Sequence, residues 1–216
     1  TEWIGGVPRA ATIPEAVESP KCPVLAEKKA RFVGEPVVAV VAKTLGQALD
    51  ALEAVDVNWE QLDVVVDPEK ALADDAPRIH DDLSSNLAFD WELAGGELTW
   101  EEAKEKADRV VSQPLVNQRL APIAIEPRGV IGQHDAGTDE YTLHTSTQIP
   151  HLVRTFTAGM LGIPETRLRV IAPDVGGGFG SKLNVYREEA LMAFLAGKCG
   201  VPVKWIERRS ENFNST

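Results

Sequence analysis

The sequence predicts an α+β protein built in two parts, residues 1–80 and 81–216. A β-branched apolar run at 37–42 is followed by a helical pattern, which indicates a buried strand and a helix in the first part. Short strand patterns and two amphipathic helices follow one another in the second part. Between the two lies the polar, acidic stretch DDLSSN at 81–86, which we expect to form the crossing between the parts.

The first part is predicted to contain three strands and one helix after a proline-rich start. Residues 1–31 hold four prolines and little periodicity, so we expect mostly loop with a short strand or two. Val37–Ala42 is the buried strand, and Thr44 is placed to cap the helix that follows it. Val55–Trp59 alternates as a half-exposed strand does, and a third short strand leads to a turn of helix from Pro68.

The second part opens with a short helix and a long extended segment. Thr99 and Glu102 have the spacing of a capping box, which predicts a helix in LTWEEAKEKA. The segment RVVSQPLVNQRLAPIAIEP, at 109–127, contains prolines that forbid a helix, so we expect extended chain. RGVIGQH and EYTLHTSTQ, at 128–134 and 140–148, are predicted strands joined by the turn-forming residues DAGTD.

Two helices and two further strands complete the second part. IPHLVRTFTAGMLG has its apolar residues on one helical face and is expected to end at Gly162. LRVIAP, at 168–173, is a predicted strand. YREEALMAFLAGKCG, at 186–200, is the second amphipathic helix, and VPVKWIE, at 201–207, is the last strand.

The composition excludes several classes of function. A formal net charge of −11 argues against a nucleic-acid partner, because phosphates are bound by Lys and Arg. No window is apolar over the length of a bilayer span, and the first ten residues lack the pattern of a secretory signal. The only cysteines, Cys22 and Cys199, favour a reducing compartment and a cytoplasmic location, and with four scattered histidines they offer no zinc-type cluster. The charged runs EEAKEK and IERRSE are interpreted as solvated faces.

The most unusual stretch is DVGGGFGSK, at 174–182, between a predicted strand and a predicted helix. That context is typical of a phosphate-binding loop, but neither the GxGxxG nor the Walker A spacing is present. A tight turn without a ligand and an independent nucleotide-binding domain are two interpretations. In a third, backbone N–H groups of the loop bind an anionic or oxo-bearing ligand while the ring of Phe179 excludes water from one side.

Five segments of the chain together resemble one known family. They are GEPVVAVVAKT, QRLAPIAIEPRGVIG, TSTQIPHLVR, VIAPDVGGGFGSK and PVKWIERRSENF, in order between Arg31 and Phe213. They are similar to the large, molybdenum-binding subunit of the xanthine dehydrogenase and aldehyde oxidase family, most of all in its carbon monoxide dehydrogenase branch. The resemblance implies the end of an α/β hammerhead-like domain at 1–80 and the first part of a molybdopterin-binding α+β domain at 81–216.

The resemblance also implies which residues bind the cofactor. In the family the GGGFG loop holds molybdopterin with its backbone, which assigns that role here to Gly177, Gly178, Phe179 and Gly180. The family's STQ segment supplies a glutamine whose amide approaches an oxygen ligand of the molybdenum, and here that glutamine is Gln148. A neutral amide can donate an N–H to such a ligand without changing the charge of the site. No residue of this chain is expected to ligate the metal itself.

Two further positions bear on the chemistry. Leu183 stands where purine-oxidising relatives carry a substrate-binding glutamate, so the resemblance argues against a xanthine substrate. Glu126, in IEPRG, is expected to form a structural ion pair with Arg128 or Arg119 rather than to act as a general base.

The function implied by the resemblance is part of the catalytic subunit of a molybdopterin-dependent oxidoreductase. Such enzymes hydroxylate an aldehyde or heterocycle-type carbon, or oxidise carbon monoxide, with oxygen derived from water. Their glutamate base lies far downstream, so we expect the general base beyond Thr216 and no activity from these residues alone. The implied cofactors are molybdopterin, with the cytosine dinucleotide form as a candidate, and iron–sulfur and FAD centres in partner subunits or domains.

The expected partners are the iron–sulfur subunit, the FAD subunit and the rest of the large subunit, assembled as a homo-oligomer of the complete complex. The alternative function is that of a non-catalytic, truncated relative that serves as a subunit-assembly or binding module. Metal analysis and pterin fluorescence separate the two, because only the first carries molybdopterin.

Overall fold

The computed structural model describes residues 20, 22–88, 90 and 95–215. Residues 22–31 contain neither helix nor strand, and most of the rest of the predicted N-terminal loop lies outside the described residues. Within the described ranges, no helix combines the length and the apolar character that crossing a membrane requires.

The first part contains the predicted helix but none of the strands predicted for its described residues. α1 (Leu45–Glu53) begins after Thr44, whose side chain accepts the N–H of Gln47 as an N-cap. A 3-10 turn at Lys70–Leu72 follows Pro68, as the sequence predicts.

The strand predictions at 37–42, 55–59 and 64–66 are wrong, since these residues form no strand. A strand requires a hydrogen-bonded neighbour, and no described segment pairs with them. Many of their apolar side chains are accordingly exposed, including those of Trp59 and Val64. The apolar pattern therefore indicates residues that favour burial in a sheet. No segment among the described residues pairs with them or fully buries their side chains.

The capping pattern at Thr99 is confirmed. α2 (Trp100–Lys106) begins with a capping box, in which the Thr99 side chain accepts the N–H of Glu102 and the Glu102 carboxylate accepts the N–H of Thr99. The charged run in this helix is mostly exposed, as predicted. Residues 107–125 then form neither helix nor strand and expose several large apolar side chains, among them those of Val111, Leu115, Val116, Leu120 and Ile125.

A four-stranded mixed sheet forms the centre of the second part. Its strands, in chain order, are β1 (Gly129–Asp135), β2 (Glu140–Thr145), β3 (Leu168–Ile171) and β4 (Val203–Ile206). The spatial order is β3-β2-β1-β4, with β1 antiparallel to β2 and β4, and β2 parallel to β3. The β1–β2 hairpin closes at DAGTD, where Asp135 Oδ1 accepts the N–H groups of Gly137 and Thr138. The four strands predicted for this part are therefore confirmed, although β2 ends at Thr145 and β3 at Ile171, earlier than the predicted ends at 148 and 173.

Two helices pack on the sheet and on each other, α3 (Pro150–Leu161) against β3 and α4 (Arg187–Cys199) against β1 and β4. Both end at a glycine in the left-handed conformation, as C-terminal caps do. α4 lies so close to β1 that a Cβ on Gly132 would be 2.3 Å from the Met192 carbonyl oxygen. The apolar side chains between these elements form the core, which includes Val130, Leu143, Val153, Met160, Leu168, Ala190, Ala193 and Val203.

A fifth helix, α5 (Arg209–Ser215), follows β4 and has no counterpart in the sequence predictions. The run IERRSE that leads into it is not solvated throughout, because Glu207 is only 2% exposed. The Glu207 carboxylate binds the Arg128 guanidinium at 2.7 Å, and Arg128 also pairs with Glu188 at 3.0 Å. A charge leaves water only when it is paired, so the solvated-face prediction is wrong at Glu207.

Candidate cofactor-binding site

The glycine loop after β3 has a backbone that ordinary residues rarely adopt. Gly177 and Gly180 have φ angles of +99° and +90°, and Phe179 between them has a φ of +52°. A bulky residue in this region is strained, and such strain is concentrated at functional sites. The Phe179 side chain contributes little burial in return, because the residue is 76% exposed. The loop therefore presents an aromatic ring outward on a constrained backbone.

Gln148 lies against this loop, in the turn between β2 and α3. Its Oε1 accepts the N–H of Gly180 at 3.2 Å, and its backbone N–H donates to the Lys182 carbonyl at 3.0 Å. A Cβ on Gly178 would lie 2.3 Å from Gln148 Oε1, so a side chain at that position would displace the Gln148 carboxamide. The structure thus brings Gln148, Gly178 and Gly180 into contact, with Gly177 and Phe179 in the same short loop.

Strand pairing explains this contact. β2 and β3 are parallel neighbours, with Tyr141 opposite Leu168 and His144 opposite Ile171. Segments that follow two parallel neighbours leave the sheet at the same edge. Gln148 follows β2 and the glycine loop follows β3, so the connection through α3 places both at that edge.

The loop carries hydrogen-bond donors that the fold does not use. Among the described residues, the backbone N–H groups of Gly177, Gly178 and Phe179 and the Nε2 of Gln148 make no hydrogen bond. Successive N–H groups in a turn with positive φ form a concave nest that binds anions. These neutral donors fit an anionic, oxygen-rich group such as molybdopterin. Over the same ranges, no group of three or more His, Cys, Asp or Glu side chains could hold a metal ion.

Beneath the loop, Lys182 and Glu126 form an ion pair. The Lys182 side chain is 1% exposed, and its Nζ donates to Glu126 Oε2 at 2.8 Å. The same oxygen accepts the Ser146 hydroxyl and the Gly176 N–H, each at 2.7 Å. Burial by itself would raise the pKa of the Glu126 carboxyl, but these three hydrogen bonds outweigh it and hold the pKa below its usual value. Glu126 is therefore a stable carboxylate and a weak proton acceptor.

Glu126 forms a structural ion pair, as predicted, but its partner is Lys182 and not Arg128. Arg128 pairs instead with Glu188 and Glu207. Lys182 is 56 positions from Glu126 along the chain, a separation at which sequence spacing carries no information about contact. The sequence feature that could have pointed to Lys182 is its position at the C-terminal end of the glycine loop.

Glu189 links the start of α4 to Thr145 at the end of β2. Thr145 lies three residues before Gln148 in the chain. Its two oxygens accept the Tyr186 N–H at 2.7 Å and the Thr145 hydroxyl at 3.2 Å. Complete burial raises the pKa of Glu189 to about 7, although these hydrogen bonds and the charge of Arg128 act to lower it. Sequence reasoning missed this residue, and its capping position three residues after Tyr186 was the signal that could have found it.

Comparison with known protein families identifies both parts of the chain. The sequence model of the aldehyde oxidase and xanthine dehydrogenase a/b hammerhead domain matches residues 7–63. The sequence model of the molybdopterin cofactor-binding domain matches residues 79–216. The α+β fold class, with these two domain types in this order, is thereby confirmed.

Individual relatives agree with these matches. The nicotine 6-hydroxylase large subunit of Paenarthrobacter nicotinovorans is 38% identical over 198 residues, which are 92% of this chain and 24% of that protein. The carbon monoxide dehydrogenase large chain of Hydrogenophaga pseudoflava is 35% identical over 205 residues, 89% of this chain and 25% of that one. The crystal structure of quinoline 2-oxidoreductase from Pseudomonas putida 86 matches with a TM-score of 0.85 at 36% identity, over 98% of this chain and 27% of its own.

The chain thus spans about a quarter of the length of the relatives it matches. Within that span, the hammerhead match precedes the molybdopterin-binding match, and the glycine loop with Gln148 lies in the second of them. The chain belongs to the aldehyde oxidase and xanthine dehydrogenase family, as a segment of its molybdopterin-binding large subunit.

Proposed function

We propose that this chain forms one wall of the cofactor site in a molybdopterin-dependent oxidoreductase. The proposal rests on the convergence of Gln148 with the loop 177–180, where three backbone N–H groups and the Nε2 of Gln148 make no hydrogen bond to any described residue. The names of the relatives support a reaction on an electron-poor carbon, since they act on nicotine, quinoline or carbon monoxide.

The reaction in this proposal is hydroxylation of an aldehyde or heterocycle-type carbon, or oxidation of carbon monoxide, with oxygen from water. When bound, the molybdenum cofactor supplies the two-electron redox chemistry. The N–H groups of Gly177, Gly178 and Phe179 would hold anionic groups of the cofactor, and Gln148 Nε2 would donate a hydrogen bond to one of its oxygen atoms. Because all four donors are neutral, they orient the group without altering its charge.

The general base is proposed to come from outside this segment, beyond Thr216. Glu126 is the carboxylate that touches the glycine loop, but its lowered pKa and its pairing with Lys182 make it a weak base. The remaining three quarters of the large subunit, by the length of the relatives, would supply the residue that accepts the proton.

The substrate is proposed to be an aldehyde, an apolar nitrogen heterocycle or carbon monoxide rather than a purine. Leu183 follows the loop and is exposed, with its N–H bonded to the Gly180 carbonyl at 3.1 Å. An aliphatic side chain at this place offers no hydrogen bond to the several polar atoms of a purine. Turnover assays with quinoline, nicotine, benzaldehyde, carbon monoxide and xanthine would rank the classes, and preference for xanthine would contradict this assignment.

The proposed partners follow from the surface as well as from the relatives. Residues 107–125 expose a run of large apolar side chains, far more than an isolated surface segment usually shows. We assign this segment to contact with the rest of the large subunit. Iron–sulfur and FAD subunits would then accept the electrons, in a cytoplasmic complex that assembles as a homo-oligomer.

The test begins with the intact protein purified together with the subunits that accompany it. Molybdenum is measured by plasma mass spectrometry, pterin by fluorescence after oxidation, and the dinucleotide form by release of cytidine monophosphate on acid hydrolysis. We expect near-equimolar molybdenum and pterin. A folded, complete protein that carries neither would contradict the proposal and favour the assembly-module alternative.

Two pairs of variants then test the site itself. Gly180→Val and Gly200→Val both place a branched side chain at positive φ in open space, and only the first lies in the loop. Gln148→Leu and Gln133→Leu both remove a carboxamide, and only the first contacts Gly180. We expect at least tenfold lower turnover or molybdenum content in the loop member of each pair. Equal behaviour within both pairs would refute the assignment.

A further inference from the structure

We propose that Glu126 is a positioning residue that fixes the glycine loop against Gln148. This inference rests on the proposed function, because the geometry that it explains is that of the cofactor-binding wall. Glu126 precedes β1 in the chain, and so belongs to neither of the segments that it joins, the turn after β2 and the loop after β3.

Three donors from these segments converge on one carboxylate oxygen. Glu126 Oε2 accepts the Ser146 hydroxyl from the turn, the Gly176 N–H from the start of the loop and the Lys182 ammonium from its end. Charge-assisted hydrogen bonds of this kind are about twice as strong as neutral ones. A single side chain therefore holds both ends of the loop and the turn beside it.

Backbone contacts tie the same three segments together. The Glu126 N–H donates to the Gly176 carbonyl at 3.3 Å, so Gly176 is held by both its N–H and its carbonyl. The Lys182 carbonyl accepts the Gln148 N–H at 3.0 Å and the Thr147 hydroxyl at 3.4 Å. Movement of Lys182 would therefore move Gln148 with it.

The strain at Phe179 explains why the loop needs anchors at both ends. A non-glycine residue at positive φ persists only where the surroundings over-determine it, and Phe179 has little burial of its own. Gly176 and Lys182 flank the strained stretch, and Glu126 holds both. Without this carboxylate we expect Gly177–Gly180 to sample other backbone angles, which would misalign the free N–H groups.

A simpler role, neutralising the buried ammonium of Lys182, has to be separated from positioning. Lys182→Met removes the buried charge and leaves Glu126 bonded to Ser146 and Gly176. Glu126→Met combined with Lys182→Met removes the charge as well as the carboxylate. The two proteins differ only at position 126, and neither contains an unpaired buried ammonium, so a difference between them reports positioning.

Five measurements are made on the intact enzyme with its partner subunits: molybdenum content, kcat, KM, hydrogen exchange of the peptide that covers residues 174–183, and the Mo(V) electron paramagnetic resonance signal. Relative to Lys182→Met, we expect the double variant to show 10–100-fold lower kcat, KM changed by less than about threefold, and at least tenfold faster exchange of the loop amides. The Mo(V) electron paramagnetic resonance signal should shift as well. Once the contact between Gln148 and Gly180 loosens, the Gln148 carboxamide would no longer be held in one orientation. Equal kcat and equal exchange in the two variants would overturn the inference.

Controls and a second route keep the result interpretable. Glu165→Gln is matched, because Glu165 also accepts from a cation and a hydroxyl, those of Arg154 and Thr155, at similar side-chain exposure (43% against 39%). It should leave exchange and kcat unchanged. If the double variant fails to fold, Glu126→Ala combined with Lys182→Met is compared with Lys182→Met in the same way, and equal loop exchange in that pair would refute positioning. A wild-type enzyme without molybdenum would defeat the proposed function, while the exchange comparison would still decide the role of Glu126.

Discussion

Replacing Glu189 with glutamine removes an ionisable group from the sealed space between α4 and β2. In the folded protein, burial raises the pKa of Glu189 from 4.5 to about 7. A carboxyl whose pKa is higher in the folded state binds its proton more tightly there, so its ionisation favours unfolding. The free energy of unfolding is therefore unaffected by this group below pH 4.5, where the carboxyl is protonated in both states. It falls as the pH rises from 4.5 through 7, where the group ionises more readily in the unfolded state. The difference between the two pKa values corresponds to roughly 3 kcal/mol.

Glutamine keeps the local contacts of Glu189 without the charge. Its carbonyl oxygen can accept the Tyr186 N–H while its NH₂ group donates to the Thr145 hydroxyl. We expect urea unfolding to show that the free energy of unfolding falls between pH 4.5 and 7 in the wild type relative to Glu189→Gln. At pH 8 the variant should be more stable by roughly 3 kcal/mol. Exposed Glu101→Gln is the control, and parallel pH curves for wild type and Glu189→Gln would refute the reasoning.

Two further substitutions test the packing around the sheet. Arg128→Met leaves Glu207 buried without its cation, so chemical denaturation should show a loss of about 3–5 kcal/mol, against less than about 1 kcal/mol for Arg154→Met at an exposed pair; similar losses would contradict this. Gly132→Ala places a methyl group 2.3 Å from the Met192 carbonyl oxygen and must push α4 away from β1. We expect a loss of about 1–3 kcal/mol and a lower Tm by calorimetry, and an unchanged Tm would show that α4 moves freely.

Local sequence signals located the elements whose partners lie nearby. The hairpin at DAGTD, the glycine that ends α3 and the capping box at Thr99 each depend on residues a few positions apart. The apolar run at 37–42 has the same quality of pattern, yet it forms no strand because no described segment pairs with it. An apolar, β-branched pattern indicates that a segment favours the strand conformation, but a strand forms only when another segment pairs with it.

The candidate site divides in the same way. Gln148 and the loop 177–180 could be named from the resemblance to a known family, and the structure places them in contact, while their role in cofactor binding stays a proposal. The pairing of Glu126 with Lys182 could not be predicted, because only the sheet topology brings these positions together. The domain boundary near residue 80 also stays a prediction.

The parallel pairing of β2 and β3 has a consequence for how this protein can change over evolutionary time. Since the strand register sets the contact between Gln148 and the loop, the exposed residues 164–167 between α3 and β3 can gain or lose a residue without disturbing that contact. A slip of β3 by one residue has the opposite effect. It would exchange buried Leu168 for exposed Arg169 and displace the loop by about 3.3 Å. Insertions are therefore tolerable in the connection between α3 and β3, whereas an insertion within β3 would disrupt the contact between Gln148 and the loop.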